Sequence, residues 1–234
     1  LAWALSRADR VSKSLQLAGL AGRFWRIHSY HSEGRLRLAA ALAQPGADKP
    51  ENAAARVQVL RWAGWLAFFQ SDYPATRAAC LARIDICRAM GEAGRLGLAE
   101  ALEALAEVDT EEGDYAAAMP RYEQAIAIFR QFGGALGLCN ALTMLAWLAM
   151  RAGDYELARD RFAVALTHCR AAGNPDLTAQ ALAGRGELAV RCGDYTLAGA
   201  VLEESLLVRR QIVEVWAIAI SVFTLVWLGL RQGD

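Results

Sequence analysis

The sequence predicts an all-α protein, a solenoid built from paired helices. Three observations lead to this prediction. Apolar residues recur with the 3.6-residue period of a helix, a Gly-Asp-Tyr triplet returns at a fixed interval, and no stretch shows strand-like alternation with hairpin signals. Of the 234 residues 55% are hydrophobic and 21% are charged, which is sufficient for a packed core and unlike the composition of disordered chains.

The charge balance argues against one class of partner. Lys and Arg together number 25, Asp and Glu also number 25, and the formal net charge is zero. Proteins that bind nucleic acid usually carry a basic excess, because they neutralise phosphates. The sequence therefore predicts no direct contact with nucleic acid.

The Gly-Asp-Tyr triplet marks a repeat. Successive triplets lie 40 residues apart in the second half of the chain, and related Ser-containing triplets lie 42 residues apart in the first half. A period of this length is typical of stacked supersecondary units, none of which can bury its apolar face alone. The triplets begin at Ser29, Ser71, Gly113, Gly153 and Gly193, and the chain ends on Gly233-Asp234.

Each repeat is predicted to contain two helices. In one repeat they cover Ala135–Ala152 and Glu156–Arg170, with the turn between them. The glycine of the triplet supplies a left-handed residue that ends the first helix, and the aspartate caps the second. Between repeats, Gly173-Asn174-Pro175 can end one helix, cap the next and begin it with proline, whose missing N–H costs nothing there.

The packing pattern within the repeat narrows the family. A period of 40 residues alone also suits HEAT or armadillo units. The large and small packing residues, however, recur in register with the turn and resemble the tetratricopeptide signature, which implies a right-handed superhelix of helical hairpins. One repeat carries Leu142, Leu145-Ala146, Ala158, Phe162 and Ala165 at these positions.

The predicted organisation has two parts. Residues 1–52 form an N-terminal helical segment with the first hairpin, and residues 53–234 form tetratricopeptide-type repeats with turns near 71, 113, 153 and 193. The last helix has no partner within the chain. We therefore expect the chain to be a fragment of a longer protein.

The N-terminal segment adds a second resemblance. LAWAL at the start and the stretch Leu17–Gly46 are similar to the region that precedes the repeats in bacterial STAND-class ATPase regulators of the LuxR-type and maltose-regulator-like groups. The resemblance implies a non-catalytic sensor module of a cytoplasmic signalling or transcription-regulating ATPase, with the rest of that regulator as one partner. A free-standing tetratricopeptide scaffold is the alternative. The sequence departs from the repeat pattern at Arg83 and Arg185, which occupy packing positions.

No motif indicates catalysis, a cofactor or a metal. The chain has neither the phosphate-binding G-x-x-x-x-G-K-[ST] loop nor G-x-G-x-x-G. His28 and His31 lie close together without a further ligand, so surface roles are favoured over a zinc site. The five cysteines form no C-x-x-C motif and are predicted to be buried free thiols of a reducing compartment.

The tetratricopeptide resemblance implies that the first helix of each hairpin lines a concave groove. Residues 13, 10, 6 and 3 positions before each turn share one helical face. The predicted groove changes along the array from basic through aromatic to acidic and then polar-aromatic. Its candidate binding residues are Arg23, Arg26, Arg61, Trp65, Phe68, Glu100, Glu103, Glu107, Asn140, Thr143, Trp147, Gln180 and Glu187.

This groove suits a protein, a peptide or a small cationic effector, because aromatic rings beside carboxylates attract cations. The alternative interpretation is that the glutamates form a solvated helix face and that the tryptophans pack between helices.

The C-terminal helix carries a separate prediction. Val215–Leu230 is apolar but shorter than the roughly 20 residues that a membrane span needs, so we expect no membrane segment. A solenoid end that lacks a polar cap exposes its packing face. We therefore expect self-association, as a homodimer, through the face that contains Val222, Leu225, Val226 and Trp227.

Overall fold

The computed structural model describes residues 10–210 of the 234-residue chain. Within that range the regular structure is helical, and no strand is present. Two short 3₁₀ helices, Pro50–Asn52 and Gly91–Gly94, precede α3 and α5. The α-helices are α1 (Val11–Ile27), α2 (His31–Leu42), α3 (Ala53–Phe68), α4 (Tyr73–Ala89), α5 (Arg95–Glu111), α6 (Tyr115–Phe132), α7 (Ala135–Arg151), α8 (Tyr155–Ala171), α9 (Pro175–Arg191) and α10 (Tyr195–Arg210).

Two compact units divide the chain, Leu1–Arg121 and Tyr122–Asp234. In the first unit, α1 packs on α2 and α3, α2 packs on α3, α3 on α4, and α4 on α5. In the second, α7 packs on α8, α8 on α9, and α9 on α10. Each helix thus packs against its neighbour in sequence, as expected for consecutive helical hairpins.

The turns lie where the triplets occur. Gly113, Gly153 and Gly193 have φ angles of 82°, 83° and 79°, so each occupies the left-handed conformation that glycine adopts without steric cost. Ser29 and Ser71 adopt the same conformation at φ 57° despite their side chains. The Ser-containing triplets are therefore true equivalents of Gly-Asp-Tyr.

Polar side chains cap the helices that follow the turns. Oδ1 of Asp154 accepts a hydrogen bond from the Leu157 N–H at 3.0 Å, and Asp72, Asp114 and Asp194 make the equivalent bond. Asn174 caps α9, which begins at Pro175, as predicted. Such caps satisfy N–H groups that have no partner inside the helix.

The packing residues of the repeat are fully buried in the second unit. Ala158, Phe162 and Ala165 are each 0% exposed, and Leu142 lies opposite them in the core. A Cβ atom added to Gly184 would lie 2.4 Å from the Phe162 ring, so the glycine makes room for that ring. Small residues therefore let the helices approach while large ones fill the space between them.

Other expectations have mixed outcomes. Cys80, Cys87, Cys139 and Cys169 are buried, but Cys192 is exposed because it lies at the end of α9 beside the turn. No helix between residues 10 and 210 is long and apolar enough to cross a bilayer. The segment predicted to self-associate, with Val222, Leu225, Val226 and Trp227, lies outside the described residues.

Arg185 does not form the ion pair that its packing position led us to expect. It is half-buried, and Glu187 binds Arg191 instead, with Oε1 2.8 Å from Nη2. Asp160, the other candidate, is exposed. No hydrogen bond joins Arg185 to another residue of the described range, so its aliphatic stem is the part that packs.

Candidate binding site

Two substitutions at packing positions distinguish the hairpin of α3 and α4 from later repeats. Nine residues after its turn the chain carries Cys80, where the later repeats have the large residues Tyr122, Phe162 and Leu202. Twelve residues after the turn it carries Arg83, where the later repeats have Ala125, Ala165 and Ser205. A small residue thus replaces a large one, and a long cation replaces a small residue one helical turn later.

An open pocket lies beside these two residues. It contains about 260 Å³ of empty space, including solvent at its mouth. Its apolar walls come from Leu60, Trp65, Phe68 and Ala104, and its charged residues are Arg61, Arg83 and Glu107. Cys80 also lines the pocket, which indicates that the missing bulk at this position helps to leave the space open.

Arg83 is the deepest charge of the pocket. Its side chain is only 2% exposed, and among the described residues its one hydrogen bond joins Nη2 to Oε2 of Glu100 at 3.2 Å. Its buried Nε has no partner. Burial lowers the pKa of the guanidinium, and the charge of Glu100 opposes that shift. Arg83 therefore has spare donors that face little water.

Glu100 is shared between two cations. Nη1 of Arg61 lies 3.4 Å from Oε2, the same oxygen that Arg83 contacts. Both distances exceed the roughly 2.7–2.9 Å of strong charged hydrogen bonds. Arg61 also lies near the ring of Trp62, with its guanidinium carbon 5.8 Å from the ring centroid. One carboxylate oxygen thus serves two guanidinium groups and satisfies neither fully.

Aromatic rings extend from the pocket toward the α3–α4 turn. The ring of Trp65 lies 6.1 Å from that of Phe68 and stacks on that of Phe69 at 5.7 Å. Phe69 is 47% exposed and stacks in turn on His31 at 5.6 Å. The pocket therefore opens beside an accessible aromatic surface, formed by Trp65, Phe68, Phe69 and His31.

Cys80 is not a nucleophile in this setting. Burial raises the pKa of its thiol to about 11, an effect that nearby Arg83 reduces and Glu107 reinforces. A thiol with so high a pKa is almost entirely protonated at neutral pH and reacts slowly. Its contribution to the pocket is its small volume.

The pocket brings together only some of the predicted groove residues. Arg61, Trp65, Phe68 and Glu107 line it, and Glu100 reaches it through Arg83. Arg23 and Arg26 are exposed on α1 and do not line it. Glu103 is half-buried on α5 and is not part of the lining.

In the second unit several predicted groove residues have other roles. Thr143 is fully buried and donates a hydrogen bond to the Cys139 carbonyl at 2.8 Å, so its assignment to an accessible groove was wrong. The ring of Trp147 meets that of Phe162 edge-on at 5.9 Å, which is packing between helices. Glu187 pairs with Arg191 at 2.8 Å.

The two remaining groove candidates of the second unit, Asn140 and Gln180, are half-buried. Oε1 of Gln180 is buried without a hydrogen-bond partner.

Sequence reasoning did not identify Arg83 as a site residue. The relevant signal was present, since an arginine stands at a position where the repeat requires a small residue. A charge in a packing position is costly unless it is paired or functional, so that departure was itself a site signal.

Comparison with known proteins supports the repeat assignment. Residues 98–171 match the family model of the tetratricopeptide repeat. No curated protein matches the chain. In the described part of the chain, no group of three or more His, Cys, Asp or Glu residues is placed to hold a metal ion.

Solved structures share the fold at low sequence identity. BtubC from P. vanneervenii aligns with a TM-score of 0.67 at 16% identity, over 96% of this chain and 85% of that one. A Rap protein complexed with competence and sporulation factor aligns with a TM-score of 0.70 at 14% identity, over 97% and 72%.

A signal transduction ATPase with numerous domains, which has a tetratricopeptide repeat sensor and comes from Pyrococcus horikoshii, aligns with a TM-score of 0.73 at 13% identity. The match covers 97% of this chain but 34% of that protein. Identities this low establish a shared fold alone. The fold is the all-α, tetratricopeptide-type helical solenoid that the sequence predicts.

Proposed function

We propose that this chain is a non-catalytic module that binds a protein or peptide, and that the pocket formed by α3, α4 and α5 anchors the partner. The observation that carries the proposal is the buried Arg83, which lies in an open pocket with a donor that has no partner. A buried polar group without a partner costs free energy. A bound partner that supplies an acceptor would recover that cost.

The size of the pocket favours a side chain over a free small molecule. Cavities for drug-sized ligands hold about 300–1,000 Å³ and enclose most of the ligand. This pocket has about 260 Å³ even when its open mouth is included. A single side chain fits it, and the adjacent aromatic surface offers contact area to the neighbouring residues of the same partner.

The wider role follows from the resemblance of the N-terminal segment. We propose that the module is the sensor of a cytoplasmic STAND-class regulator, in which partner binding changes the contacts of the repeats with an ATPase core. The likeness in fold to the sensor-containing STAND protein supports this role. The alternative, a free-standing scaffold, draws equal support from the likeness to the Rap protein and to yeast Tom70.

Peptide display tests the binding function. A random peptide library is selected on the full chain, and the dissociation constants of the recovered peptides are measured by fluorescence polarisation. Trp65→Ala and Phe68→Ala should each weaken binding by about tenfold or more, since aromatic anchors dominate such interfaces. Leu81→Ala is the matched control, because Leu81 lies on α4, is 49% exposed and does not line the pocket.

If the selected peptides bind the Trp65 and Phe68 variants as tightly as the unsubstituted chain, this pocket is not the anchor. Circular dichroism of each variant separates loss of binding from loss of fold. The wider role is tested by the gene itself. A phosphate-binding loop encoded in the same reading frame would support the regulator, and its absence from the complete frame would favour the scaffold.

A further inference from the structure

We propose that the pocket binds a carboxylate of the partner, and that Arg83 and Arg61 hold it together. The proposal deepens the binding function above and rests on it. It specifies the chemistry of the anchor as an acidic side chain or a chain terminus, next to an aromatic or apolar residue. The partner is therefore a peptide segment with an acidic anchor, not a cationic one.

The first step of the argument is the donor inventory of Arg83. A guanidinium group has five N–H donors in a planar fork that matches a carboxylate. Among the described residues, Arg83 uses one donor, toward Glu100, and its buried Nε has no acceptor. The side chain is 2% exposed, so solvent offers little compensation. A second acceptor is needed at this point of the pocket.

The second step is the local charge. Arg61 and Arg83 share Oε2 of Glu100 at 3.4 and 3.2 Å, so two positive charges meet one negative charge. The group of three has a net charge of +1. An incoming carboxylate would make the charges equal and give each guanidinium group an acceptor. A cation would add to the existing excess.

The third step is the shape of the surroundings. Leu60, Trp65 and Phe68 form apolar walls around the pocket, and the exposed Phe69 continues that surface outward. Charged hydrogen bonds strengthen when aromatic walls exclude water. A residue adjacent to the acidic anchor would contact the ring of Phe69.

Glu107 opposes the anchor and makes the proposal testable. Its carboxylate belongs to the pocket wall and would repel a bound anion, whereas it would attract a cation. Removing its charge therefore has opposite effects for the two ligand classes. An acidic anchor should bind more tightly to Glu107→Gln, and a basic anchor should bind more weakly.

The experiment uses four short peptides and the full chain. The probes are acetyl-Phe-Glu-Phe-amide, its Gln and Lys analogues, and acetyl-Phe-Gln-Phe with a free C-terminal carboxylate. Titrations of ¹⁵N-labelled protein report the dissociation constants and the Nε–Hε resonance of Arg83. That resonance should move downfield when a carboxylate peptide binds, because the Nε donor gains an acceptor.

We expect the Glu peptide to bind about tenfold more tightly than the Gln and Lys peptides, as a charged pair in an apolar pocket would produce. Arg83→Lys should remove that preference, since an ammonium group cannot reproduce the planar fork. Glu107→Gln should increase it. The control Arg88→Lys changes an exposed arginine of α4 and should have no effect. Comparison of the Glu peptide with the free acid shows which source of carboxylate the pocket prefers.

Tightest binding of the Lys peptide, equal affinities for all four probes, or no binding of any probe would overturn the proposal. An unmoved Nε resonance in the unsubstituted chain would do so as well, even if Arg83→Lys does not fold. The binding function fails separately. If Trp65→Ala weakens the display-selected peptides while charge changes at Arg83 and Glu107 have no effect, the module binds peptides but has no carboxylate site.

Discussion

The hairpin of α3 and α4 and the hairpin of α7 and α8 share one repeat pattern but use the same space differently. Trp65 and Trp147 each lie six residues before the turn of their hairpin. Trp147 packs against Phe162, which is fully buried. At the position equivalent to Phe162 the first hairpin has Cys80, and there Trp65 lines an open pocket.

The difference shows that a repeat becomes a binding site through the residues that do not fill its core. In the second hairpin, large and small residues alternate as the repeat requires, and the space is closed. In the first, the small Cys80 and the long Arg83 exchange those sizes, which leaves a pocket and places a cation in it. The aromatic residue before the turn is the same in both hairpins, so it is not what distinguishes them.

The largest expected effect is on the closed side of this comparison. Phe162→Ala should lower the free energy of unfolding by about 3–5 kcal/mol, because it leaves a cavity between Trp147 and Gly184. Cys80→Ala, at the equivalent position, should cost only about 1 kcal/mol. Urea denaturation measures both. Equal losses would mean that the first hairpin is as tightly packed as the second.

A buried carboxylate provides the next test, because it is a charge that the fold pairs well. Asp109 is 1% exposed and forms ion pairs with Arg77 at 2.8 Å and with Arg121. Asp109→Ala should lower the free energy of unfolding by about 2 kcal/mol, the usual value of charged hydrogen bonds. The exposed Asp85→Ala should change it by less than about 0.5 kcal/mol. A negligible loss at Asp109 would show that its pairing does not stabilise the fold.

Arg83 should respond in the opposite direction. Arg83→Met keeps much of the side-chain volume and removes a poorly paired buried charge, while Glu100 retains Arg61. Such replacements are often neutral or stabilising, so we expect the free energy of unfolding to rise by about 1 kcal/mol. Thermal and urea unfolding of the two proteins provide the measurement. A loss of stability would contradict the view that Arg83 is held for binding and not for the fold.

The smallest effect concerns cysteine reactivity and leaves stability unchanged. Cys192 is exposed, whereas burial raises the pKa of Cys80 to about 11 and that of Cys139 to about 12. Because both pKa values are raised, the reactive thiolate is scarce at pH 8, about a thousandth of Cys80. Iodoacetamide should therefore modify one thiol per native chain, identified by peptide mass mapping. Modification of Cys80 at the rate of Cys192 would show that the pocket is more open than described.

The sequence by itself determined the helices, their turns and the repeat. The period of the triplets, the left-handed glycines and the aspartate caps act over a few residues, so each is visible in a short stretch of chain. Even the unusual turns at Ser29 and Ser71 followed from their register with the glycines.

Only the tertiary structure decided which groove residues form a site. The position of a residue relative to its turn specifies its helical face, but not what the neighbouring helix presents to it. Thr143 and Arg61 occupy equivalent positions, yet Thr143 is fully buried whereas Arg61 reaches Glu100. Burial and ion pairing depend on the volumes and charges of residues from other helices, and such contacts form only when those helices pack.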